Sequence, residues 1–110
     1  MTGDAAEGVI RFRYRLEAPA GPPPLAALRA AHARGRAAGW LGRDPRRYGG
    51  LAFGNLSLGA GGGFWITASQ RSDAPELEAE DLVEIVAVGA DGAVRGRGRR
   101  APSSETLTHA

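Results

Sequence analysis

Glu105 and His109 stand four residues apart in P-S-S-E-T-L-T-H, Pro102–His109. On a helix that spacing puts both side chains on one face. A carboxylate and an imidazole so placed either share a metal ion or form an ordinary helix pair. Ser103 and Ser104 come just before, where the helix is expected to start. Free N–H groups and the helix dipole favour an anion at such a point, and the same hydroxyls also serve as a plain N-cap. A second group is G-N-L-S, Gly54–Ser57, in a glycine-rich stretch. Small residues let backbone N–H groups approach an anion, while Asn and Ser add side-chain hydrogen bonds. Other chemistries find no support. The chain has no cysteine and only two histidines, so neither a thiol nucleophile nor a three-histidine metal site can be built from it. No G-x-S-x-G elbow is present, and no serine is paired with a base at a recognisable spacing. The glycine run Gly59–Gly63 is not followed by lysine, so it is not a Walker-type phosphate loop.

These residues need a scaffold. Ile10, Phe12, Tyr14 and Leu16 alternate with Arg11, Arg13 and Arg15, which predicts a half-buried strand over Val9–Leu16. Its arginine face either contacts phosphates or is simply solvated, and it discourages edge-to-edge pairing. A rigid Pro/Gly break at Ala18–Pro24 precedes a helix over Leu25–Ala38, with Pro24 at its first turn and Gly39 at its end. Leu25, Leu28 and His32 share one face of this helix, so His32 reads as structural. Trp40 and Leu41 are expected to fold back onto it. Two apolar runs flank the glycine stretch and predict a strand pair. Pro75–Asp81 reads as a short helical turn with Leu77 inward. Leu82–Val88 is a strand, Asp91-Gly92 a turn and Ala93–Arg99 a weaker strand. Residues 1–8 read as a flexible tail, and 9–110 as a single, incomplete domain.

Composition narrows the classes. A chain of 110 residues with 43% hydrophobic and 24% charged residues is an ordinary single globular domain. No apolar run approaches the ~18 residues of a membrane helix. The acidic start M-T-G-D-A-A-E is no secretory signal, so a cytoplasmic protein without a membrane partner is expected. Every basic side chain is arginine, and a GC-rich coding sequence accounts for this together with the abundant Ala and Gly. Lys plus Arg number 14 against 12 acidic residues, for a net charge of +2, which argues against a nucleic-acid partner.

Taken in order, G-N-L-S-L, F-W-I-T-A-S, E-A-E-D-L-V-E-I, D-G-A-V-R-G and P-S-S-E-T-L-T-H resemble the first half of the class II aldolase/adducin head family. The resemblance covers Leu51–Ala110 well and the helix at Leu25–Gly39 more loosely. It implies an α/β fold, a mixed sheet covered by helices in a three-layer α/β/α arrangement, apparently truncated here. It implies assembly as a homo-oligomer, usually a tetramer. It also implies a zinc-dependent carbon–carbon lyase or epimerase acting on a phosphorylated sugar through an enediolate, with zinc as Lewis acid. The adducin branch implies the alternative, a non-catalytic binding or interaction module with a remnant phosphate cup. Residue by residue, Glu105 matches the general acid/base and is the one residue here that could also approach the metal. Gly54 and Asn55 match the phosphate-binding G-N pair, Ser69 a second phosphate contact, and Ser103 and Ser104 the two serines that complete the cup. His109 matches a family histidine that is not a metal ligand.

The departures also carry expectations. The family's T-P-S-G loop is T-A-S-Q here, so Gln70 stands where a glycine approaches phosphate, and a Cβ there would crowd the ligand or favour a smaller or different one. Gly59 replaces a common arginine. The family's zinc histidines lie downstream of P-S-S-E, beyond Ala110, so the sequence reads as the amino-terminal half of a longer enzyme. An isolated half would leave a sheet edge and apolar faces uncovered and would be weakly stable or self-associating.

Overall fold

A computed structural model describes residues 2–5, 12–46 and 48–109. The strand predicted near the start is β2, Phe12–Glu17. Phe12, Tyr14 and Leu16 are buried, and Arg13, Arg15 and Glu17 are exposed. Val9, Ile10 and Arg11, assigned to the same strand from sequence, lie outside the described residues. The predicted tail contributes a strand instead. Thr2–Ala5 form β1, antiparallel to β2, with Thr2 opposite Arg15 and Ala5 opposite Phe12.

Helix α1 is Leu25–Ala37. Pro24 sits one position earlier than expected, at the N-cap, and its carbonyl receives the Leu28 N–H at 3.2 Å. The C-terminus is a Schellman turn. Gly39 takes φ 79°, its N–H reaches the Arg36 carbonyl at 3.1 Å, and the Trp40 N–H reaches that of Gly35 at 2.9 Å. Leu41 folds back onto α1 as expected and is buried. Trp40 does not, and is 73% exposed. The turn places Leu41 against Gly35 and directs the next-door indole into solvent.

After α1, β3 (Gly42–Arg43) pairs with β4 (Ala52–Phe53) as a small antiparallel ribbon, with a 3₁₀ turn at Tyr48–Gly50 between them. The predicted strand pair is β5 (Ser57–Ala60) and β6 (Gly63–Thr67), joined at Gly61-Gly62. A 3₁₀ turn at Ala79–Asp81 leads into β7 (Leu82–Val88), and β8 is Val94–Arg97. Residues 106–109 form one helical turn, α2. The sheet order is β1-β2-β8-β7-β6-β5. Among the described residues β2 and β8 form the one parallel pair, so the sheet is mixed, as expected.

Alternation along β6 and β7 sends side chains to opposite faces. Ile66, Val83 and Ile85 join Phe12, Tyr14, Leu16 and Val94 in one cluster, against which Phe64, Ala101 and Leu107 pack. Leu82 and Trp65 turn the other way, to Leu28, Leu77, Leu25 and Leu56. The faces expected to be bare from sequence are therefore largely closed among the described residues. Exposed large apolar side chains there are Trp40, Leu51, Leu58 and Val88. The outer arginines carry ion pairs: Arg13 with Asp91 at 3.2 Å, Arg95 with Glu17 at 2.8 Å and Arg97 with Glu84 at 3.6 Å.

His32 is 2% exposed, and its Nε2 lies 2.8 Å from the Ser72 carbonyl. A carbonyl only accepts, so Nε2 carries the proton. Ser72 in turn donates its hydroxyl to the Phe53 carbonyl at 2.9 Å, so the histidine ties α1 to β4 through one loop. His32→Ala removes a buried ring and leaves a carbonyl unpaired. It is expected to lower unfolding free energy by about 2–4 kcal/mol in urea denaturation.

Candidate functional site

Thr67, the last residue of β6, joins the three motifs. Its N–H donates to the Leu56 carbonyl at 3.0 Å, its hydroxyl accepts the Leu56 N–H at 3.2 Å, and its carbonyl accepts the Ser103 N–H at 3.1 Å. One residue further, Ala68 bridges antiparallel to Pro102, and the Ser69 N–H reaches the Ala101 carbonyl at 2.8 Å. Segments 54–57, 67–70 and 102–105, separated in sequence, thus meet around one strand end. Thr67 is fully buried, and no motif in the sequence marks it as a junction. A threonine ending an apolar strand before a small-residue loop was the available signal.

Gly54 opens the first segment at φ 77°. A Cβ built on it would lie 2.1 Å from the Trp40 carbonyl oxygen and 2.8 Å from Leu41 Cδ2, so β4 and the end of α1 meet there through a missing side chain. Asn55 follows, half-buried. Ser69 is half-buried, and Ser103 and Ser104 are buried. The Ser103 hydroxyl accepts the Glu105 N–H at 3.2 Å, the expected cap on the short helix. Glu105 is half-buried, and its Oε2 accepts the Thr108 hydroxyl at 3.1 Å.

Gln70 has φ 61°, the one non-glycine described at positive φ. The loop keeps a glycine-like conformation although it carries a Cβ. The side chain turns to β4, where its Oε1 accepts the Ala52 N–H at 2.8 Å and its Nε2 donates to the Ala52 carbonyl at 3.4 Å. The Gln70 amide is thus spent on the β3–β4 ribbon.

His109 is hydrogen-bonded to Ser57 and Asn55 and not to Glu105. Its Nδ1 is 2.6 Å from Ser57 Oγ, and its Nε2 contacts Asn55 Oδ1. A serine–imidazole pair thus exists that spacing did not reveal. Desolvation by burial lowers the His109 pKa from 6.5, and the nearby Glu105 carboxylate opposes that shift in part. The fold therefore favours the neutral ring. The stability it adds is present above about pH 6.5 and is lost as pH falls through the depressed folded value. His109→Gln is expected to flatten the stability–pH curve in that window, as read by unfolding midpoints between pH 5 and 8.

Among the described residues no three His, Cys, Asp or Glu side chains converge to hold a metal. His32 and His109 both have their ring contacts taken. The described residues do not make up a zinc donor set. What the site offers is neutral donors, from Asn55, Ser69, Ser103 and Ser104, beside one carboxylate, Glu105.

The fold is a mixed sheet with helices, and one of its strand ends gathers small-residue loops, hydroxyls and an acid. A family model described as Class II Aldolase and Adducin N-terminal domain matches residues 44–110. The chain belongs to the class II aldolase and adducin N-terminal domain family, whose members are commonly zinc-dependent. Comparison with curated proteins and with solved structures finds no match. No helix among the described residues is long and apolar enough to cross a membrane.

Proposed function

We propose that this chain supplies the phosphate cup and the general acid/base of a class II aldolase-like enzyme acting on a phosphorylated sugar. The reaction would be a carbon–carbon cleavage or an epimerisation through an enediolate. The observation that supports the reading is the meeting of Gly54-Asn55, Ser69 and Ser103-Ser104-Glu105 around Thr67. A phosphate dianion needs several O–H and N–H donors at once, and preorganised donors cost little reorganisation on binding. A carboxylate beside them can take up or return the proton at the reacting carbon or oxygen. Zinc dependence, a tetrameric or other homo-oligomeric assembly, a cytoplasmic setting and the three-layer α/β/α arrangement belong to the same proposal, and the zinc would need ligands other than the described residues. A single domain over 9–110 is its structural unit.

The second reading is the non-catalytic one, an adducin-like module with a remnant cup. It is favoured by Gln70, whose side chain is committed to β4, and by the incomplete donor set. Glu105→Gln separates the two. The enzyme reading expects turnover of phosphorylated sugars by the whole native protein to fall ~100-fold or more, in the range that general acid–base groups contribute, with ligand affinity kept within a few-fold. No turnover in the wild type, with the same affinity in both proteins, supports the binding module.

A further inference from the structure

We propose that His109 is a positioning residue that fixes the Asn55 carboxamide for anion binding, with Ser57 setting the tautomer of the ring. This rests on the phosphate-cup reading above. Asn55 Oδ1 accepts only, so the His109 Nε2 it touches is the protonated nitrogen. Nδ1 then carries the lone pair, and the Ser57 hydroxyl donates to it at 2.6 Å. The lowered pKa of His109 agrees with a neutral ring. With Oδ1 occupied, the amide cannot flip without losing its partner. Its Nδ2 has no partner among the described residues, so both N–H donors remain for a ligand. Ser57 and Asn55, two positions apart, are thus joined in one line through His109, which lies 52 and 54 positions further along the chain. The line runs from strand β5 to helix α2 and back to the loop before β5. An Asn without this partner can turn its carboxamide or swing its side chain away from the anion, and ordering it again costs affinity, whereas a held one keeps its donors in place. The role needs no contact between His109 and the ligand, so it is not a catalytic residue.

The test uses the 110-residue chain and inorganic phosphate, titrated by calorimetry, with wild type, N55A, H109A, H109Q and the N55A/H109A double variant. Gln places an N–H donor near the position of imidazole Nε2. H109A is expected to weaken phosphate about tenfold, the worth of one well-placed hydrogen bond at the upper end of its range. H109Q should restore affinity to within about threefold, and adding H109A to N55A should cost nothing more. Imidazole ¹⁵N spectra read the line independently: the Nε2–H tautomer is expected in wild type, with faster Nε2–H exchange in N55A. Phosphate binding with fully multiplicative 55 and 109 effects, or with H109Q as weak as H109A at equal stability, overturns this role alone. A wild type that binds no phosphate overturns the cup reading and this role with it, even with the tautomer in place.

Discussion

Gly54→Ala is expected to destabilise the chain by about 3 kcal/mol or more. Two costs add. A side chain at φ 77° pays about 1–2 kcal/mol for the left-handed conformation. Its Cβ would also fall 2.1 Å from the Trp40 carbonyl oxygen, a backbone atom that cannot swing aside. Overpacking of that kind typically costs about 1–3 kcal/mol. Gly61→Ala is the control, at φ 59° with nothing within 4 Å of the new Cβ, and should pay only the conformational cost. Urea midpoints of the two variants separate the contributions. Equal losses would show that β4 and the α1 terminus are not in the close contact described here. Since Asn55 is the next residue, Gly54→Ala is also expected to lose phosphate affinity at temperatures where it is still folded.

Asp81→Ala has the second large effect. Its carboxylate is fully buried, and Oδ1 accepts the Arg71 Nε–H at 2.7 Å while Oδ2 accepts the Glu78 N–H at 2.9 Å. Arg100 adds a longer contact, 3.8 Å. The hydrogen bond to Asp81, then its charge, raises the Arg71 pKa. Removing one partner of a fully buried pair costs about 3–5 kcal/mol. Here the stranded cations are Arg71 and Arg100, whose side chains are 37% and 44% exposed and can rehydrate. The expected loss is therefore about 2–3 kcal/mol, mostly from the unpaired Glu78 N–H and the vacated volume. Asp81→Asn keeps the volume and one acceptor and should recover roughly half of it. The consequence reaches the site, because Arg71 anchors the loop that carries Ser69 and Gln70, and the Asp81 carbonyl accepts the Ala68 N–H at 2.7 Å.

What could be read from the residues, and what could not, divides along physical lines. Strand β2 and helix α1 announce themselves by period, and β7 by a run rich in branched side chains broken only by Glu84 and Ala87, so Phe12, Tyr14, Leu28 and Leu82 fall where pattern places them. His32 reads as structural because it shares a face with leucines. β1 was invisible, since T-G-D-A has no apolar period and becomes a strand only through the open edge of β2. Trp40 was misplaced because the Schellman turn, not hydrophobicity, decides its direction. The motif residues were legible as types, and their convergence was legible only through a family resemblance. Their assembly depends on Thr67 hydrogen bonds across 11 positions, at Leu56, and more to Ser103. The His109 link spans over fifty positions, where spacing carries no information.

The central claim is that segments 54–57, 67–70 and 102–105 form one anion cup. The most direct measurement is a titration of the 110-residue chain with inorganic phosphate, followed by backbone and side-chain amide NMR shifts. Saturable shifts are expected that include the Asn55 side-chain amide and the backbone amides of Ser69, Ser103 and Ser104 with one common dissociation constant, abolished in N55A. Shifts confined to the surface arginines, growing linearly with phosphate and unchanged in N55A, would contradict it.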